Sequence, residues 1–149
     1  MHFITGGAFN GKRAWVKKIY RVNKHDHWLS AYEGCPLPIN IQNIDQAVLI
    51  LEGVEFWLKD LTKKYDSKQA RENWQRCLEN WLAWESSKLN RQLIVIGTDI
   101  TKGIVPLEVE NRVWRDVTGW AYQDIAAKSE KVDVIWYGLN QNIKYGGNS

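Results

Sequence analysis

The chain has 149 residues, 44% of them hydrophobic and 25% charged, with a formal net charge of +3. This predicts one globular domain over residues 1–149 with a core of its own. The charge is too small to argue for nucleic acid, no apolar run approaches the roughly 20 residues of a membrane span, and Cys35 and Cys77 form no metal or redox spacing, so free thiols in a reducing cytoplasm are expected.

His2–Thr5 reads as a first strand. The chain enters a glycine-rich segment within six residues, so no secretory leader is expected. That segment is Gly6-Gly7-Ala8-Phe9-Asn10-Gly11-Lys12-Arg13. From Gly6 it reads Gly, four residues, Gly, Lys, the Walker A spacing, with Arg13 where the template has Ser or Thr. Glycines open backbone conformations closed to residues with a Cβ. The N–H groups of such a loop converge on an anion at the positive end of the following helix. Gly6, Gly7, Ala8, Phe9, Asn10, Gly11, Lys12 and Arg13 are therefore the candidate nucleotide-binding residues, with Lys12 as a point charge on the outer phosphates. The missing hydroxyl normally binds Mg²⁺. A guanidinium has donors only and cannot replace it as a ligand. Arg13 either binds phosphate directly or lies outside the site in water.

The amphipathic run Lys12–Tyr20 predicts a helix after the loop. Arg21–Asp45 has little periodicity and reads as a loop-rich connection with at most a short strand. His25 and His27 flank Asp26 there, but no third ligand at metal spacing accompanies them. Ala47–Leu51 is a continuous apolar run, as expected of a strand covered on both faces. Glu52 follows at the carboxyl end of that strand, where a Walker B acid holds Mg²⁺; the alternative is an acid that caps the next helix. Val54–Lys64 predicts that helix, with Glu55 as a second acid or a helix-surface residue.

Lys68–Asn90 predicts a long helix. Tryptophan is over-represented at 9 of 149 residues, and Trp74, Trp81 and Trp84 share one face of this helix. Core or subunit interface is the ordinary reading; a flat aromatic surface for a planar ligand is the other. Leu93–Gly97 predicts another strand. The segment from Gly97 to Pro106 that follows offers Asp99 as a general base for a hydroxyl nucleophile, or as a turn residue. Leu107–Lys128 predicts a helix whose Arg112 and Arg115 either reach phosphate or pair with neighbouring acids. Val132–Tyr137 is the last strand expected, and Tyr145–Ser149 is expected to fray. Strands alternating with helices predict an α/β, doubly wound, three-layer fold with a mostly parallel sheet.

Three blocks resemble one family. Ile4 to Lys12 resembles the nucleotide loop of the adenosylcobinamide kinase/adenosylcobinamide-phosphate guanylyltransferase family. Leu49-Ile50-Leu51-Glu52 with Trp57 resembles its Walker B strand and following helix. Gly103-Ile104-Val105-Pro106, with Asn111-Arg112, Arg115-Asp116, Gly119, Gln123, Ala126-Ala127, Val132 and Gly138, is similar to its C-terminal signature. The resemblance implies a RecA-like core and a homotrimer. It implies phosphorylation of the aminopropanol hydroxyl of adenosylcobinamide, a corrinoid, by ATP or GTP, then guanylyl transfer through a GMP-linked histidine. Lys12 would contact phosphates and Glu52 the metal. Four departures stand out. Arg13 replaces the metal-binding Ser, which puts Mg²⁺ in question. Asp99 is a shortened acid in Thr98-Asp99-Ile100-Thr101, and Glu55 replaces a Thr. The chain is also short where the family carries its second strand and guanylylated His. His25 is the candidate substitute for that nucleophile, whose position is otherwise unassigned. The expected function is adenosylcobinamide kinase, with the guanylyltransferase half less supported. The alternatives are a non-catalytic nucleotide-binding relative, or an interaction protein using its tryptophan faces.

Overall fold

The computed structural model describes residues 1–101 and 106–145. Strand β1 (His2–Thr5) leads through the glycine loop into helix α1 (Lys12–Ile19), then β2 (His27–Ser30) and a 3-10 turn over Ala31–Glu33. β3 (Val48–Glu52), α2 (Val54–Lys64), α3 (Ser67–Ser86) and β4 (Gln92–Ile96) follow. α4 (Val109–Lys128), β5 (Lys131–Trp136) and β6 (Leu139–Lys144) complete the chain. The sheet order is β2-β3-β4-β1-β5-β6, parallel throughout except for the antiparallel pair β5–β6. β4 therefore separates the strand that feeds the glycine loop from the strand that ends in Glu52.

Side chains alternate across a strand, so each strand supplies both faces of the sheet. Phe3, Leu49, Leu51, Leu93 and Val95 pack against α2, α3 and α4 in the larger core. Ile4, Ile50, Ile94, Ile96 and Ile135 pack on the other face, against Val16 of α1. This is the three-layer α/β arrangement expected, with continuous apolar strands where helices cover both faces.

The tryptophans of α2 and α3 are core. Trp57, Trp74 and Trp81 are almost fully buried, with ring centroids 5.3 Å apart for Trp74–Trp81 and 6.1 Å for Trp57–Trp81. They also anchor the irregular segment between the 3-10 turn and β3. The indole N–H of Trp57 donates to the Cys35 carbonyl (2.7 Å), that of Trp81 to Pro38 (2.8 Å) and that of Trp84 to Ile44 (3.0 Å). A loop beside a core would otherwise leave carbonyls without partners; here the aromatic layer supplies the donors.

Some boundaries differ from expectation. α3 stops at Ser86 rather than Asn90, because the Ser86 and Ser87 hydroxyls turn back to the Ala83 and Trp84 carbonyls. α4 begins at Val109 rather than Leu107, whose carbonyl accepts from Arg112. β6 has no counterpart in the sequence reading. Its Leu-Asn-Gln-Asn-Ile-Lys composition is poor in strand formers. It forms through a tight turn in which Tyr137 (φ 54°) and Gly138 (φ 73°) are both left-handed, as a two-residue hairpin requires. Residues 102–105, with most of the Gly103–Pro106 block, and residues 146–149 of the expected frayed tail lie outside the described residues.

Candidate nucleotide site

The glycine loop is shaped from both sides. Gly6 has φ 136°, and a Cβ there would lie 2.4 Å from the Ile135 carbonyl oxygen of β5. Gly11 (φ 87°) is the N-cap of α1. The Asp99 N–H donates to the Gly6 carbonyl (2.9 Å), and the Gly138 N–H to the Asn10 carbonyl (2.9 Å). The ends of β4 and β5 thus fix the two ends of the loop. Lys12 opens α1 but folds back, its Nζ donating to the carbonyls of Gly7 (2.8 Å) and Gly6 (3.3 Å). Burial lowers its pKa, while Glu55 and Glu52 act in the opposite sense.

A cleft of about 790 Å³ runs from this loop toward the ends of β3 and β4. Its lining includes Ala8 through Ala14, Lys17, Tyr32, Glu52, Glu55, Phe56 and Thr98. The segments that make its walls are far apart in sequence. They meet because α1, α2 and the segment after β4 all start at the carboxyl edge of the parallel sheet, where ligands of such sheets bind.

Glu52, the last residue of β3, is 4% exposed. Arg13 grips it: Nε donates to both carboxylate oxygens (3.0 and 3.2 Å) and Nη2 to Oε1 (2.5 Å). Nη2 also reaches Glu33 (2.9 Å). The Trp28 indole N–H donates to the same carboxylate (3.1 Å), and its ring lies 5.3 Å from the Arg13 guanidinium carbon. Burial pushes the Glu52 carboxyl up, but the hydrogen bonds from Arg13, Ser30 and Trp28 outweigh it and hold the group below the usual carboxylate range.

Glu55 stands in the first turn of α2 and is 3% exposed. It accepts from the Tyr32 hydroxyl and from the Thr98 N–H (3.0 Å). Burial, and then the bond to Glu55, push the Tyr32 hydroxyl pKa up. The cleft therefore holds two carboxylates, one of them from a residue that sequence reasoning left as a possible surface acid. Its position, three residues past the strand-end Glu52, was the available signal. Nothing local marks Tyr32.

Other candidates are placed elsewhere. The Asp99 carboxylate accepts from the Thr101 N–H (2.9 Å) and hydroxyl (2.6 Å), the bonding of a turn residue. Thr98 and Ile100 line the cleft on either side of it, while Asp99 does not. His25 lies in the turn before β2, its N–H donating to Asn23, and His27 is in edge strand β2; neither lines the cleft. Arg112 donates to the Pro106 and Leu107 carbonyls at the start of α4. Among the described residues no group of three His, Cys, Asp or Glu is arranged to hold a metal.

The family model for cobinamide kinase / cobinamide phosphate guanyltransferase matches residues 2–143. The chain belongs to that family. It is also 25% identical, over 148 residues, to the bifunctional adenosylcobalamin biosynthesis protein CobP of Pseudomonas aeruginosa. The alignment spans 96% of this chain and 81% of that protein. Membership places the chain among enzymes of cobalamin assembly that use nucleoside triphosphates and corrinoid substrates. Among the described residues no helix is long and apolar enough to cross a membrane.

A phosphate-loop kinase raises the question of Mg²⁺, and the donors here do not fit it. The position after Lys12 offers a guanidinium instead of a hydroxyl. The strand-end carboxylate is already bound on both oxygens by that same guanidinium and receives the Trp28 N–H besides. A divalent ion would have to displace a charged partner from a buried acid.

Proposed function

We propose that the chain binds a nucleoside triphosphate in the Gly6–Arg13 loop and transfers its terminal phosphoryl group to the aminopropanol hydroxyl of adenosylcobinamide. The observation that carries this reading is the loop itself: Gly6 and Gly11 in left-handed or glycine-only conformations, α1 starting at Lys12, and an acid-walled cleft alongside. The loop N–H groups and those of the first turn of α1 have no intrahelical acceptors and would cradle the phosphates. Lys12 would leave the Gly6 and Gly7 carbonyls for the outer phosphates. Glu55 is the better-placed acid to receive the acceptor proton, because it lines the cleft and Asp99 does not.

Transfer by this route leaves out guanylyl transfer, which needs a histidine nucleophile; no histidine is among the described lining residues. The choice of ATP or GTP, the corrinoid acceptor, a homotrimer, a cytoplasmic location and a single domain over residues 1–149 belong to the same reading. They rest on the family resemblance and composition. The Arg13–Glu52 pair favours a second reading, a relative that binds nucleotide without turning it over.

Calorimetric titration with GTP and ATP, followed by adenosylcobinamide and mass spectrometry, separates these readings. A corrinoid phosphate supports the kinase. Binding without product supports the non-catalytic relative, and absence of binding sinks both.

A further inference from the structure

We infer that Arg13 is the built-in cation of this nucleotide site, so that the protein binds nucleoside triphosphates without a divalent metal. The inference rests on the nucleotide-binding reading and on neither version of the chemistry that follows. Three observations carry it.

The first is the occupancy of Glu52. A guanidinium presents donors in a fixed fork that matches a carboxylate. Arg13 uses Nε and Nη2 in that way, with distances of 3.0, 3.2 and 2.5 Å. Trp28 adds a third donor at 3.1 Å. A carboxylate so engaged is charge-compensated where a phosphate-loop enzyme would place its metal.

The second is immobilisation. The Trp28 ring lies against the Arg13 guanidinium (5.3 Å to the ring centroid), and Glu33 takes Nη2 at 2.9 Å. Arg13 is held on several sides, unlike a surface arginine free to swing away. The bonds to Glu52 and Glu33 run from Nε and Nη2 and leave Nη1 out. Arg13 lines the cleft, so Nη1 is the edge it retains for a phosphate.

The third is the charge of the lining. Lys12, Arg13 and Lys17 face Glu52 and Glu55. Glu33 pairs with Arg13 beside the lining, so the acids are matched by cations, and Lys12 and Lys17 stand beside a loop of N–H donors before any metal enters. A free triphosphate, more negative than its metal complex, is the ligand matched to such a wall.

The test is calorimetric titration of the intact protein with GTP and with ATP, in excess Mg²⁺ and in EDTA. The expected result is a Kd in EDTA equal to or tighter than that in excess Mg²⁺. Arg13→Ser, which restores the hydroxyl and frees Glu52, should bind about tenfold or more tightly in Mg²⁺ than in EDTA. Wild-type binding that tightens about tenfold or more with Mg²⁺ overturns the inference while leaving nucleotide binding intact. No binding in either buffer overturns the nucleotide reading and this inference with it. A folded Arg13→Ser protein with no Mg²⁺ preference also overturns the assignment, because Arg13 would not be what excludes the metal. Should that variant not fold, Mn²⁺ added to wild-type protein decides the matter by its paramagnetic resonance signal. A free-ion signal unchanged by protein supports the inference, and a signal quenched by stoichiometric binding defeats it.

Discussion

Replacing Arg13 with alanine should destabilise the protein at neutral pH and do so less as the pH falls. The substitution strips the main partner from a carboxylate that is 4% exposed. Breaking a fully buried ion pair in this way costs about 3–5 kcal/mol. The Arg13 side chain is 41% exposed, so water screens the pair, and Trp28 and Ser30 still serve Glu52 in the variant. Both facts bring the expected cost down to about 1–3 kcal/mol. The pH dependence follows from the protons bound. In the wild type Glu52 is held below the usual carboxylate range, so its contribution is complete above the unfolded value of about 4.3 and is lost as the pH falls through the depressed folded value. In the variant burial is no longer offset by the guanidinium. The folded group then takes up a proton more readily than before, and acid relieves the defect. Urea unfolding of both proteins from neutral pH to about pH 4 reads the difference directly. A gap below about 0.5 kcal/mol at neutral pH would mean that the pair behaves as an ordinary surface contact. A gap that stays constant across the range would refute the claim that Glu52 is the group left uncompensated.

Gly6→Ala should cost more than about 2 kcal/mol and abolish nucleotide binding, because its Cβ would meet the Ile135 carbonyl at 2.4 Å; Gly34→Ala, at φ 86° with nothing within 4 Å, should cost only about 1 kcal/mol, and equal losses in thermal melts would contradict the steric argument. Trp81→Ala should lose about 3–5 kcal/mol, the indole being fully buried between Trp57 and Trp74 with its N–H on Pro38. A loss below about 1 kcal/mol in urea titrations would show that the aromatic layer is not what anchors the segment after the 3-10 turn. Lys12→Ala should weaken GTP and ATP binding about tenfold or more while changing stability little, since a buried ammonium is removed along with its bonds to two loop carbonyls. Unchanged affinity in fluorescence or calorimetric titration would remove Lys12 from the phosphate site.

Strands β3 and β4 were legible as apolar runs covered on both faces, and β1 and β5 as short, largely apolar segments beside glycine-containing turns. β6 was not, because its stability comes from the hairpin turn and from pairing with β5 rather than from its own asparagine-rich residues. Asn140 and Asn142 both donate to Asp133 of β5, a use for polar strand residues that no local pattern announces. Within the site, Glu52 was readable as a strand-end acid beside the loop, and Glu55 only as an acid nearby. Tyr32 was invisible: its role depends on the 3-10 turn lying against the start of α2. Asp99 shows the converse. Its residue type fitted a general base, but the short segment after β4 lets its own backbone and Thr101 claim the carboxylate first.

The glycine loop and its lysine are a local property. A strand, glycines at two spacings and a helix start lie within a dozen contiguous residues, so the sequence alone marks the loop, while Asp99 and Gly138 at the ends of β4 and β5 hold it in place. The meaning of Arg13 is a long-range property. From the sequence it was a mismatch with two open fates, bound to phosphate or left in water. Its partner Glu52 lies 39 residues away, and they meet only because β3 takes its place beyond β4 in the sheet and ends level with the start of α1. Strand order and register, which no segment encodes by itself, turned a missing metal ligand into a guanidinium seated on the acid that the metal would use.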